Sequence, residues 1–182
     1  MIAYIVCEGI TDAQLLQQIL PKELLNDVEI VAAGGLSAIK SLARSLIVRR
    51  QLPVLIVADA DSVEPNVIHE RLNSIEEIVK SVAISTSVKV ILAVPSIEII
   101  FFEDILLLSR LLEYDPSQAQ EMMNLAKYQP DKAVRKFLGR FPKNNLINQL
   151  KLTNDNLEIL WKVPFIQEII YFLQSLQETA KV

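Results

Sequence analysis

Three short runs rich in β-branched residues, each followed by an acid-bearing turn, constrain this chain more than any other feature. The runs are Ile2–Val6, Val54–Val57 and Val88–Val94. The turns are Glu8-Gly9-Ile10-Thr11-Asp12, Asp59-Ala60-Asp61 and Ser96-Ile97-Glu98. Runs that stay apolar at nearly every position read as strands buried on both faces, the usual condition of a parallel sheet covered by helices. In an open parallel sheet, ligands collect at the carboxyl ends of the strands. Five carboxylates gathered there repel one another unless a cation sits among them. The first reading is therefore a hard-metal site.

Helical patterns fill the intervals. Ile2–Cys7 is the first strand. Thr11–Leu20 places Leu15, Leu16, Ile19 and Leu20 on one side, with Thr11 and Gln14 as a capping box and Pro21 beyond the end. Val28–Ala32 is the second strand, Gly34-Gly35 a turn, and Ser37 the cap of a helix to about Arg49. Pro53–Ala58 is the third strand. Pro65–Val82 is a helix with Val67, Ile68, Leu72, Ile75, Ile78 and Val79 inward. Val88–Val94 is the fourth strand, stopped by Pro95, after which Ser96 caps a long buried helix to about Leu112. Repeated units of this spacing predict a four-stranded, mainly parallel sheet flanked by helices, with right-handed crossovers. The pattern changes near Tyr114-Asp115-Pro116. Only helices follow, at Ser117–Ala126, Asp131–Leu138, Asn144–Leu150 and Pro164–Thr179. The expected division is an α/β unit over 1–113 and a helical extension over 114–182 packed on it.

Composition removes several classes of function. With 182 residues and 51% apolar content the chain has material for a sizeable core. It shows no internal repeat and no low-complexity tract. The most apolar helix candidate, Ile97–Leu112, carries Glu98, Glu103, Asp104 and Arg110, so no membrane span is expected. The start lacks the basic region and cleavage site of a signal peptide, and a cytoplasmic location is the expectation. Cys7 is the only cysteine, which excludes an internal disulfide and a cysteine-based zinc site. His69 is the only histidine, which excludes multi-histidine metal chemistry. Beside Glu70 and Arg71 it reads as a surface residue of a helix.

Each acid has a structural role to weigh against a chemical one. Asp12 in a first helical turn complements the helix dipole, as does Glu98, while Ser96 serves as a cap. Glu103 and Asp104 read as solvated positions on an otherwise apolar helix, or as surface pairs with the tail. Asp59 and Asp61 alternate on an extended segment, so both can reach one cation, and Mg²⁺ and Mn²⁺ prefer such oxygen ligands. The net charge of −4 does not advertise nucleic-acid binding; the distribution is more informative, offering either a phosphate-binding patch or a solvated face. From Asn124 to Leu152 there are seven bases, Lys127, Lys132, Arg135, Lys136, Arg140, Lys143 and Lys151, against the single acid Asp131. Lys132 shares a helix face with Arg135 and Lys136, a face suited to contact with a phosphate backbone. Tyr128, Phe137 and Phe141 lie among them, as stacking platforms or, more simply, as core residues. Lys40, Arg44, Arg49 and Arg50 form a weaker second patch.

The Glu-Gly turn in Val6-Cys7-Glu8-Gly9 and the Asp-x-Asp in Val57-Ala58-Asp59-Ala60-Asp61 resemble the TOPRIM domain of topoisomerases, primases, small ribonucleases and OLD-family nucleases. The resemblance covers about Met1–Leu112, and Gly34-Gly35 with Ser37 fits the loop after that domain's second strand. It implies a Rossmann-like sheet and Mg²⁺-dependent work on phosphodiesters of DNA or RNA. Glu8-x-x-x-Asp12 and Ser96-x-Glu98 look most like the OLD branch. That likeness implies Glu8, Asp59 and Asp61 as catalytic residues and Glu8, Asp12, Asp59, Asp61 and Glu98 as ligands of one or two Mg²⁺ or Mn²⁺ ions. Ser96, Gly9 and Gly35 are then supporting residues. OLD proteins usually carry an ATPase domain before this unit, whereas no P-loop motif occurs here. The implied protein is a solitary TOPRIM nuclease; a separate ATPase, another protein, or a second copy of the chain is left open as a partner. Tyr114, Tyr128 and Tyr171 lack the context of a topoisomerase nucleophile. The alternatives are a non-catalytic TOPRIM-like module binding nucleic acid or protein, and a small TOPRIM ribonuclease of RNA maturation. A phosphate-binding enzyme using Gly34-Gly35 is weaker, since no Gly-x-Gly-x-x-Gly follows a strand.

Overall fold

Four parallel strands form one sheet in the order β2-β1-β3-β4. They are β1 (Ala3–Cys7), β2 (Val28–Ala32), β3 (Val54–Asp59) and β4 (Val88–Ala93). The computed structural model describes residues 1–113, 115–139, 150 and 152–179. The helices are α1 (Ile10–Ile19), α2 (Lys22–Leu25), α3 (Leu36–Arg50), α4 (Pro65–Lys80), α5 (Ile105–Leu112), α6 (Pro116–Tyr128), α7 (Pro130–Leu138), α8 (Asn154–Leu160) and α9 (Pro164–Thr179), with a 3₁₀ segment at Ile97–Phe102. This is an α/β, Rossmann-like architecture with C-terminal helices.

Strand alternation divides the core into two layers. Tyr4, Val6, Val54, Ile56, Ala58 and Val90 pack with Ile39, Ala43 and Ile47 of α3 and Ile75 and Val79 of α4. Ile5, Cys7, Leu55, Val57, Ile91 and Ala93 face the other way. There they meet α1, the 3₁₀ segment and all the later helices, so one continuous core joins the sheet to the C-terminal half. The chain leaves β1 toward β2 on one side and returns past β1 to β3 on the other. The strand order therefore reverses at β1 and β3, and a crevice opens beyond their carboxyl ends.

Several local expectations are corrected. No continuous helix runs from Ser96 to Leu112. The 3₁₀ segment ends at Phe102, and α5 restarts with Asp104 as its cap, accepting the Leu107 N–H at 2.8 Å. Asp104 is thus a capping residue rather than a solvated acid. The helix after β1 begins at Ile10, and its capping partner is Asp12, not Thr11. The cap position of α3 is Gly35 rather than Ser37. Val67 points outward, 46% exposed, instead of joining the core. Two short helices, α2 and α8, had no strong periodic signal; α8 is capped by Thr153. The expected helix at Asn144–Leu150 lies outside the described residues except for Leu150, which is buried. No helix among the described residues is long and apolar enough to cross a membrane.

Candidate functional site

Strand alternation also sorts the acids. Glu8 continues the series Tyr4, Val6 on the side of α3 and α4. Asp59 continues Leu55, Val57 on the opposite side. Glu8 accordingly meets α4, where Arg71 Nη2 donates to its Oε1 at 3.1 Å. The same nitrogen donates to Asp61 Oδ2 at 2.8 Å. Asp61 reaches this position from a left-handed backbone (φ 51°), held by its N–H on the Pro95 carbonyl at 2.9 Å. Glu8 is held from behind: its carbonyl accepts the Gly34 and Gly35 N–H groups at 2.8 and 2.9 Å. Both glycines have positive φ, 90° and 120°, which strains any residue with a Cβ. Gly35 therefore supports the site through its backbone.

Asp12, Asp59 and Glu98 form the second group. With Thr11, Ser96, Val134 and Leu138 they line a cleft of about 310 Å³. The Gly9 N–H donates to Asp12 Oδ2 at 2.9 Å, and the Ile97 N–H donates to Asp59 Oδ1 at 2.9 Å. Each carboxylate keeps its other oxygen. Burial raises the Asp59 pKa to about 8, helped by the charges of Glu98 and Asp12 and less by Glu8, with the Ile97 N–H opposing. Asp12 is also raised, first by burial and then by Glu98 and Glu8, against the pull of the Gly9 N–H. The buried Cys7 thiol is pushed far up by burial and by the Asp12 and Asp59 charges, so it stays protonated and unreactive. Ser96 lines the cleft but makes no side-chain capping bond.

The five acids thus share one sheet edge without sharing one point. Among the described residues, no three Asp, Glu, His or Cys side chains stand close enough as placed to hold a single ion. The donor chemistry is nevertheless that of a hard cation: carboxylate oxygens with a hydroxyl beside them.

Above the cleft lies α7. Its Val134 and Leu138 line the cleft, and Phe137 stacks on Phe101 and meets Phe102 edge-on, at ring separations of 5.2 and 5.5 Å. Phe137 is therefore core, as the simpler expectation had it. Lys132, Arg135 and Lys136 are exposed on the same helix. Arg135 Nε donates to the Asp131 carbonyl at 3.3 Å. Tyr128 is 75% exposed with Lys127 over its ring, and His69 is exposed beside Asn73. Arg140, Phe141, Lys143 and Lys151 lie outside the described residues.

Sequence reasoning missed Arg71. A signal was present: it lies three residues after Ile68 and four before Ile75, on the inward stripe of α4. A charge on a core stripe calls for a partner.

Fold and site together define an α/β, Rossmann-like protein with its acids at the carboxyl edge of a parallel sheet. No family model and no curated protein matches the chain. Among solved structures it is similar to the C-terminal region of the Xanthomonas campestris pv. campestris OLD protein. That similarity has a TM-score of 0.48 and 15% identity, and covers 95% of this chain and 97% of that one.

Proposed function

We propose that this protein is a divalent-metal-dependent nuclease of TOPRIM type that cleaves nucleic-acid phosphodiesters. The observation that carries the reading is the Asp12–Asp59–Glu98 cleft, where burial and mutual repulsion leave Asp59 short of positive charge. Oxygen donors in a partly enclosed site of this kind suit Mg²⁺ or Mn²⁺. Asp12, Asp59 and Glu98, which stand too far apart as placed to share an ion, would draw together to hold it, with Ser96 orienting groups beside it. When bound, such an ion supplies positive charge to a phosphodiester and lowers the pKa of water. Glu8 and Asp61 complete the acid edge on its other side. The exposed Lys132, Arg135 and Lys136 then bind the backbone of the nucleic acid and position it over the cleft. The Glu-Gly and Asp-x-Asp motifs support the assignment to TOPRIM proteins, and Glu8-x-x-x-Asp12 with Ser96-x-Glu98 supports the OLD branch.

A second reading draws on Arg71, whose ion pairs already engage Glu8 and Asp61. It is a binding module that engages nucleic acid or protein without chemistry. Purified protein offered single- and double-stranded DNA and RNA decides between them. Cleavage that needs Mg²⁺ or Mn²⁺, stops with chelator and is abolished in Asp59→Asn and Glu98→Gln supports the nuclease. Tight binding without cleavage under every metal condition supports the module.

A further inference from the structure

Arg71 is the one charged group that bridges the two acid-bearing strand ends through its side chain among the described residues. It crosses 63 positions to reach Glu8 and 10 to reach Asp61, and a single nitrogen serves both. The side chain is only 17% exposed. Its Nε–H is buried without an acceptor. An unsatisfied buried donor is costly, so the pose is held against that cost by two charge-assisted bonds. The acceptors stand on fixed backbone, Glu8 with its carbonyl on the Gly34 and Gly35 N–H groups and Asp61 with its N–H on the Pro95 carbonyl. A guanidinium seated between two carboxylates on backbone held in this way, Glu8 half-buried and Asp61 65% exposed, occupies the place a cation would take. Neither Glu8 nor Asp61 lines the cleft of Asp12, Asp59 and Glu98.

We infer that Arg71 is the built-in counter-cation of the Glu8–Asp61 half of the acid edge, so the chain takes up a single divalent ion, on the Asp12–Asp59–Glu98 side. This rests on the proposed reading of that cleft as a cation site. The guanidinium then has a defined role: it supplies at Glu8 and Asp61 one of the two positive charges that a second divalent ion would bring. Unlike an ion it is not lost to chelators. Its planar fork also limits which oxygen geometries can share it. Arg71 is in this sense a positioning residue that sets the number of metal ions.

The test is a count of bound ions. Metal-free full-length protein is titrated with Mn²⁺, following free Mn²⁺ by electron paramagnetic resonance and heat by calorimetry. The parent and Arg71→Lys are expected to bind a single ion, and Arg71→Gln a second one as well. Adding Glu8→Gln to Arg71→Gln removes that second ion. In the parent background, Glu8→Gln with Asp61→Asn lowers the affinity of the single ion by less than about tenfold, whereas Asp59→Asn lowers it by more than about a hundredfold, beyond the roughly 10–100-fold that loss of an outlying partner costs. Two ions in the parent, or no gained ion in folded Arg71→Gln, overturns the inference. So does a loss in the Glu8→Gln, Asp61→Asn variant as large as that of Asp59→Asn, which is read without altering Arg71. A parent that binds no ion while Arg71→Gln gains one at Glu8 overturns the reading of the Asp12–Asp59–Glu98 cleft and leaves the role of Arg71 standing. No ion in any variant overturns both.

Discussion

At the residue scale, Asp59 shows how a strand-end acid acquires unusual chemistry. Its carboxylate is placed by β3 beside Asp12 and Glu98, and its pKa rises from 3.8 to about 8. In the folded chain it therefore binds its proton more tightly than in the unfolded one. Its contribution to stability is complete below about pH 4 and is lost as the pH rises toward 8. Without divalent ions, Asp59→Asn is expected to be more stable than the parent near pH 8 by at least about 1 kcal/mol, or roughly 2–4 °C in Tm. Asn still accepts the Ile97 N–H, so the difference should vanish near pH 4. Thermal melts across this range in chelator check it, and an advantage independent of pH would contradict the electrostatic account. Glu8, Asp12, Asp59, Asp61 and Glu98 were each legible as site candidates because they follow apolar runs. Their division into two groups was not. It depends on which way each side chain points at its strand end, and on Arg71, which only folding brings beside Glu8.

At the scale of elements, α7 joins packing to function. Ala133, Val134 and Phe137 are buried, while Lys132, Arg135 and Lys136 face solvent, so the helix is anchored by one face and presents the other. Changing the three bases to Ala should alter stability by no more than about 0.5 kcal/mol per substitution, the usual range for exposed positions. It should weaken binding to DNA or RNA across sequences and reduce the salt dependence by about two to three counterions. Fluorescence titrations at several salt concentrations measure this, and unchanged slopes would make the basic face a solvated surface only. The segment before α7 shows where pattern reading stopped short. Ile97, Ile100, Phe101 and Phe102 are all buried, so hydrophobicity there favours no single face and an α-helix looks natural. The 3₁₀ turn and the restart at Asp104 depend on how these side chains fill the space between sheet and α7. That space is unknown until the layers meet.

At the scale of the whole molecule, the C-terminal helices are part of the core. Leu160, Ile166, Ile169 and Leu173 join the cluster that covers Leu55, Val57 and Ile91. Trp161 Nε1 donates to the Ile19 carbonyl at 2.6 Å, and Gln177 Nε2 donates to the Glu23 carbonyl at 3.1 Å, tying this half to α1 and the neighbouring α2. A chain ending at residue 113 would keep α1 and the 3₁₀ segment on this sheet face but uncover the part the C-terminal helices cover, along with the apolar sides of α5 and the 3₁₀ segment. It is expected to lose cooperative thermal unfolding and to bind hydrophobic dye. A sharp transition with native near-ultraviolet dichroism in that fragment would contradict the shared core. From sequence alone, the four strands, their parallel arrangement and the acids at their ends were determined, because apolar periodicity and strand-end position are local properties of the chain. Only the tertiary structure decided which helices cover which sheet face, which acids become neighbours, and that Arg71 stands between two of them. Those outcomes depend on contacts between residues far apart in the chain, and no local pattern encodes them.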